Sequence, residues 1–215
     1  MNPFCINVYI PNLQQRSDRR ESVLKEFSGK DCFKTNIVTP VPSKKGYVSL
    51  WKTFVKIVET EKANRSDFFI FCEDDHVFTE NYNCDALCRH IQEANRMHAD
   101  LLLGGVSWMR TPFQVNDNMF WLDAFNGMQF TIVYSRFYDI ILDTIKDGYK
   151  HVTDIFLSSL TDAIFVIYPF ISVQKEFGYS DATPNNNKAG YVKGLFSYTS
   201  ERLRILNKVW TYYKL

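Results

Sequence analysis

The sequence predicts an α/β fold, a sheet flanked by helices in a single domain, and three observations carry that expectation. Short apolar runs of β character alternate with amphipathic helical stretches along most of the chain. One run, Asp67-Phe68-Phe69-Ile70-Phe71-Cys72, is apolar at five of its six positions, which suits a central strand covered on both faces. Tyr47, Leu50, Trp51, Phe54, Val55 and Val58 fall at helical spacing on one stripe. At 215 residues the chain has mass for one large core.

The elements follow in order. Phe4 to Ile10 reads as a first buried strand ended by Pro11-Asn12, and a helix follows with Ser17 or Asp18 as cap and Glu21 in reach of a capping box. Thr35 to Val38 is a short strand closed by Pro40-Val41-Pro42. After the Tyr47 helix and the apolar strand come a helix from about Asp85 to Met97 and a strand Asp100 to Leu103 ending in Gly104-Gly105. A strand near Gln129 to Tyr134, helices over Arg136 to Ile145 and Asp154 to Leu160, and a strand Ile164 to Ile167 complete the alternation. Ser180 to Gly194 is polar and rich in Gly and Asn, a loop before a last helix.

Composition excludes several classes. Hydrophobic residues make up 46% of the chain and aromatics 16%, too many for a disordered or low-complexity protein. A net charge of +1 gives no overall field for nucleic acid. The longest largely apolar run, Ala163 to Val173, is 11 residues and contains Pro169, too short to span a bilayer. Five cysteines, odd in number and unevenly spaced, do not suggest a disulfide framework, and with no secretory leader visible a cytoplasmic location is expected.

The chemistry points to Glu73-Asp74-Asp75, which follow the apolar strand directly. Open α/β sheets bind ligands at the carboxyl ends of their strands. Adjacent carboxylates against apolar walls repel, and a hard divalent cation, Mg²⁺ or Mn²⁺, relieves them. A solvated acidic turn is the plain alternative, but such a turn does not require so apolar a strand to deliver it. Arg16, Arg19 and Arg20, just past the first strand, form a basic cluster whose plain reading is a solvated helix start.

In this order the residues resemble glycosyltransferase family 25, the lipooligosaccharide and procollagen sugar transferases. Val8-Tyr9-Ile10-Pro11-Asn12-Leu13 with Arg16-Ser17-Asp18-Arg19-Arg20 is similar to the family's opening, and Phe69 to Asp75 to its strand ending in Glu-Asp-Asp. Thr131 to Ser135, Thr153 to Leu157, Pro169 to Gln174 and Ser180-Asp181 resemble its later segments, so the likeness runs from about Phe4 to Thr183. The resemblance implies a GT-A type, Rossmann-like mixed sheet over residues 1–184, with 185–215 as a basic, aromatic C-terminal loop and helix. It implies inverting transfer of a hexose, such as galactose, from a UDP-sugar to a cell-surface glycan or lipid-linked oligosaccharide. Asp75 and Glu73 would hold the cation, and Asn12, Arg16, Arg19, Arg20, Asp74, Gln174 and Asp181 the donor. Asp154 would be the base that takes the acceptor proton, with Asp181 next in line; its alternative is a plain helix cap, a role Thr153 also suits. Leu50 stands where the family carries a histidine, which supports a rival reading as a non-catalytic binding module. A metal-dependent nucleotidyltransferase is the other rival, although Pro11-Asn12-Leu13-Gln14 is not its Gly-rich loop.

Other constellations are weaker. Cys84, Cys88 and His90 match zinc spacings poorly, and buried thiols are the better account. His76 could approach the metal or be solvated, His151 could orient Asp154, and Gly104-Gly105 could admit a ligand or form a simple turn. Trp108, Phe120 and Trp121 suit a sugar platform or the core. From residue 185 onward six basic residues face one acid, a net of +5 against −4 for the rest. With Leu203, Leu206, Trp210 and Tyr213 on one stripe, that segment suits an anionic membrane surface at the inner face of the membrane, or docking on its own core.

Overall fold

A computed structural model describes residues 5–147, 152–179 and 184–213. Chain order is β1 (Ile6–Pro11), α1 (Ser17–Phe27), β2 (Phe33–Val38), α2 (Gly46–Ala63), β3 (Phe68–Cys72), β4 (His76–Phe78), α3 (Cys84–Arg96) and β5 (Leu101–Leu103). Next come β6 (Trp108–Arg110), β7 (Phe113–Asn116), β8 (Met119–Leu122), β9 (Ala124–Asn126), β10 (Phe130–Tyr134), α4 (Tyr138–Asp143) and α5 (Thr153–Ser158). The chain closes with β11 (Ile164–Ile167), β12 (Ser172–Gln174) and α6 (Tyr191–Tyr213).

Eight strands form one mixed sheet in the order β2-β1-β3-β10-β5-β11-β8-β7. β1 runs parallel to β2 and β3, and β11 parallel to β5, while β10 lies antiparallel between β3 and β5. One edge of the sheet therefore collects the carboxyl ends of β1, β3, β5 and β11 and the amino end of β10. Two ribbons, β4 with β12 and β6 with β9, stand apart from the sheet. This is the α/β mixed sheet flanked by helices that the alternation predicts.

The strand alternation builds two cores. Phe69 and Phe71 of β3 join Trp51, Phe54, Phe137, Leu157, Phe196 and Leu203 on the face of α2, α4, α5 and α6. Ile70 and Cys72 join Val23, Leu87 and Ile91 on the face of α1 and α3. The β3 run is apolar throughout because both its faces are covered.

Several local expectations are corrected. β1 continues through Pro11, which pairs with Val38 at the last position of the strand, where a missing N–H costs least. No capping box forms on α1: Arg16 is the cap residue without a side-chain bond, and Asp18 instead accepts from the Tyr179 hydroxyl. Four strands between Trp108 and Asn126, each of three or four residues, were not predicted. α6 begins at Tyr191, inside the expected loop, and docks on the core through Val192, Phe196, Thr199 and Leu203. The Thr199 hydroxyl donates to the Val106 carbonyl at 2.7 Å, and the Trp210 indole N–H to Asp117 at 3.0 Å. Leu203 and Leu206 of the predicted stripe thus face the protein, whereas Tyr198, Ile205, Val209, Tyr212 and Tyr213 face solvent. Among the described residues no helix is long and apolar enough to cross a membrane.

Candidate functional site

The apolar β3 run ends at Cys72, and the chain turns at once, with the His76 N–H donating to the Glu73 carbonyl at 3.2 Å. This tight turn gives each of its three carboxylates a different set of neighbours. Glu73 accepts from the Gln174 amide at 2.8 Å. Asp74, only 7% exposed, accepts from Asn12 Nδ2 at 2.9 Å and Arg19 Nη1 at 3.1 Å, with Arg16 at 4.0 Å. Asp75 Oδ2 accepts from the same Arg19 Nη1 at 3.1 Å, while its Oδ1 is buried with no partner among the described residues. β1 ends beside β3, so Asn12 and the first turns of α1 meet the acidic turn across more than fifty residues of sequence.

Burial raises the Glu73 carboxyl well above its ordinary range, and the nearby Asp75 and Asp154 add to the rise. Burial pushes Asp75 up to about 6, against the pull of Arg19. Asp154 is also raised by burial, opposed by the backbone N–H groups of Gly127 and Ile155. Those two groups donate to its Oδ2 and Oδ1, each at 2.9 Å. Asp154 sits in the first turn of α5, whose cap residue is Val152, so its carboxylate ties α5 to the Gly127 turn and lies within electrostatic reach of Glu73.

The fold thus brings together Asn12, Arg16, Arg19, Glu73, Asp74, Asp75 and Gln174 by direct contact, with Asp154 close by. Arg20 is exposed on α1 and makes no ion pair with these carboxylates. Asp181 and His151 lie outside the described residues. His76 is turned away: its Nδ1 pairs with Ser172 Oγ at 2.8 Å between the Phe78 and Phe130 rings, and burial lowers its pKa to about 3. Gly104-Gly105 serves close packing of β12, because a Cβ on Gly105 would stand 2.2 Å from the Ser172 carbonyl oxygen. Phe120 belongs to the core, Trp121 donates to the Asp162 carbonyl, and Leu50 packs against the α2 core. All five cysteines are free, and no preformed group of three metal-type ligands occurs among the described residues.

Sequence reasoning missed three contributors. Gln129 is fully buried at the start of β10, donates to the Gly105 carbonyl at 2.8 Å, and accepts the Glu73 N–H on its backbone oxygen at 3.3 Å. Phe177 and Tyr179 flank the Arg19 guanidinium at 4.8 and 4.7 Å. The only sequence signal was a glutamine leading an apolar strand and an aromatic pair around Gly178.

Asp75 and Glu73 are the residues here that could hold a hard cation: Asp75 Oδ1 is a buried carboxylate oxygen with no partner among the described residues, and Glu73 stands beside it.

No family model and no curated protein matches the chain. Among solved structures it is similar to an apo UDP-glucose pyrophosphorylase, at 11% identity over 92% of this chain and 82% of that one, TM-score 0.47. UDP-glucose pyrophosphorylase complexed with UDP-glucose gives a TM-score of 0.46 at the same identity and coverage. A glycosyltransferase involved in glycosylation of the major capsid of PBCV-1 gives 0.41, at 9% identity over 77% of this chain and 94% of that one. At these values the likeness does not extend to residues or chemistry.

Proposed function

We infer that the protein is a nucleotide-sugar-dependent glycosyltransferase that moves a hexose from a UDP-sugar to a glycan or lipid-linked oligosaccharide, with inversion. One observation carries this reading: an acidic turn at the carboxyl end of a central strand meets Asn12, Arg16 and Arg19 from the neighbouring strand end. Carboxylates and arginines there match the two halves of a cation–diphosphate group.

Asp75, through its free Oδ1, and Glu73 would hold Mn²⁺ or Mg²⁺, which when bound neutralises charge on the leaving diphosphate. Gln174 orients Glu73 by its amide, and Asn12 and Arg19 fix Asp74. Arg16 stands at the rim, where its guanidinium can take a phosphate oxygen. Asp154 would take the acceptor proton: each of its oxygens receives one backbone N–H, and burial raises its basicity. Contact with an anionic membrane would run through the outward face of α6, since the inward stripe is taken by the core.

The test is calorimetric titration of UDP into the wild type and Asp75→Asn, each with Mn²⁺ and with chelator. Binding is expected to weaken by roughly tenfold or more on removing either the carboxylate or the cation. Equal affinity in all four experiments refutes the cation-assisted site.

A further inference from the structure

Arg19 is only 6% exposed and is held at both terminal nitrogens, while its buried Nε has no partner among the described residues. Its Nη1 bridges Asp74 and Asp75 at 3.1 Å each, and its Nη2 donates to the Tyr179 carbonyl at 2.7 Å. Gly178 adopts φ +76°, a left-handed backbone that glycine tolerates, and the rings on either side of it both turn onto the guanidinium. The same strap, residues 175–179, is sewn down elsewhere. The Lys175 N–H donates to the Asp75 carbonyl at 2.7 Å, its Nζ to Ser22 Oγ at 2.9 Å, and the Tyr179 hydroxyl to Asp18 at 3.0 Å. These side-chain ties are exposed and contribute little, as do the exposed bonds at 2.7 and 3.1 Å that the Glu176 carboxylate accepts from the Gly190 and Lys193 N–H groups. The buried anchor of the strap is Arg19.

We propose that Arg19 is a built-in competitor for the divalent cation at Asp75, and that the same guanidinium latches residues 175–179 over the site, so that cation entry and strap release are one event. This rests on the cation-assisted reading of the site and adds its regulation. A guanidinium never gives up its charge, and a divalent ion on Asp75 would face it across a site shielded from water, where like charges repel strongly. One of the two cations must yield the carboxylates. When Arg19 leaves, Tyr179 loses its carbonyl partner and both rings lose the charge between them. The freed guanidinium is then able to grip a diphosphate in the bidentate manner arginine favours. An empty site is thereby partly compensated and covered, and a loaded site is open.

The experiment uses the full chain with Mn²⁺ alone as probe, read by calorimetry and by chymotryptic cleavage at Phe177 and Tyr179. Arg19→Met is expected to bind Mn²⁺ roughly tenfold more tightly than the wild type, and to be cut rapidly with or without the cation. The wild type is expected to be cut rapidly only when Mn²⁺ is present. Phe177→Ala leaves every charge in place and should show both effects in weaker form, with cleavage compared at Tyr179 alone, which keeps the test decisive if Arg19→Met fails to fold. Mn²⁺ bound equally by all three proteins, or more weakly by Arg19→Met, overturns the latch while the cation reading stands. Binding without any change in wild-type cleavage overturns it likewise. No Mn²⁺ binding by any of the proteins, UDP added or not, removes the cation reading and the competitor role with it.

Discussion

Two clusters of buried carboxylate lie on opposite sides of this molecule's chemistry. Glu61, in the last turns of α2, is fully buried and receives the Tyr9 hydroxyl, the Asn64 amide at 3.1 Å and the Asn7 amide at 3.5 Å. Burial and the neighbouring Glu61 raise the Tyr9 phenol, so it remains a donor. Each Glu61 oxygen has a donor there, and the nearby Tyr138 hydroxyl is left without a partner among the described residues. The acidic turn after β3 is the reverse: Arg19, Asn12 and Gln174 serve three carboxylates, and Asp75 Oδ1 is left without a partner among the described residues. Buried charge alone does not mark a site. The acidic turn keeps an unmatched carboxylate oxygen, which a ligand can complete.

The comparison breaks most readily at Glu61. Glu61→Ala would strand three donors and is expected to lower stability by about 3 kcal/mol in chemical denaturation, with UDP affinity unchanged. A loss below about 1 kcal/mol would mean that matched donors do not make a carboxylate structural. Asp154→Asn sharpens the contrast from the other side. Sugar transfer should fall by roughly a hundredfold or more while circular dichroism and UDP binding are retained, the usual signature of a lost general base. Turnover that persists would reduce Asp154 to its tie between α5 and the Gly127 turn. The smallest effect concerns the two faces of α6. Attraction to anionic vesicles is worth about 1 kcal/mol per basic residue near the surface, so binding should weaken as salt rises. Truncation before residue 185 should abolish it and also lower the melting temperature, because Leu203 and Phe196 leave the core. Sedimentation with anionic and neutral vesicles checks this, and equal binding to both rules out the membrane contact.

Much of the fold was legible because its signals are local. The β3 run is apolar at successive positions, and the α2 stripe repeats at helical spacing, so each announces its burial without knowledge of its neighbours. The acidic turn was legible for the same reason: it is contiguous. Arg19 reaching Asp74 and Asp75 is not a local fact, and only the adjacency of β1 and β3 makes it so. Gln129, Phe177 and Tyr179 were missed because their partners lie far along the chain. His76 was misread because a histidine after three acids looks solvated, while the β4–β12 ribbon carries it under aromatic rings. The stripe on α6 was read correctly as apolar and left open as to what covers it; the core covers Leu203 and Leu206.

The antiparallel placement of β10 has a consequence for how the chain is born. β5 is synthesised at Leu101–Leu103, yet its sheet neighbours are β10 and β11, made at Phe130–Tyr134 and Ile164–Ile167. Translation proceeds at roughly 5–20 residues per second, so a nascent chain carries β5 with both edges bare for seconds. β1, β2 and β3 pair among themselves long before that. A ribosome paused between residues 104 and 129 therefore displays three of the eight strands with an open flank at β3, the kind of edge that chaperones guard and that unguarded chains use to aggregate.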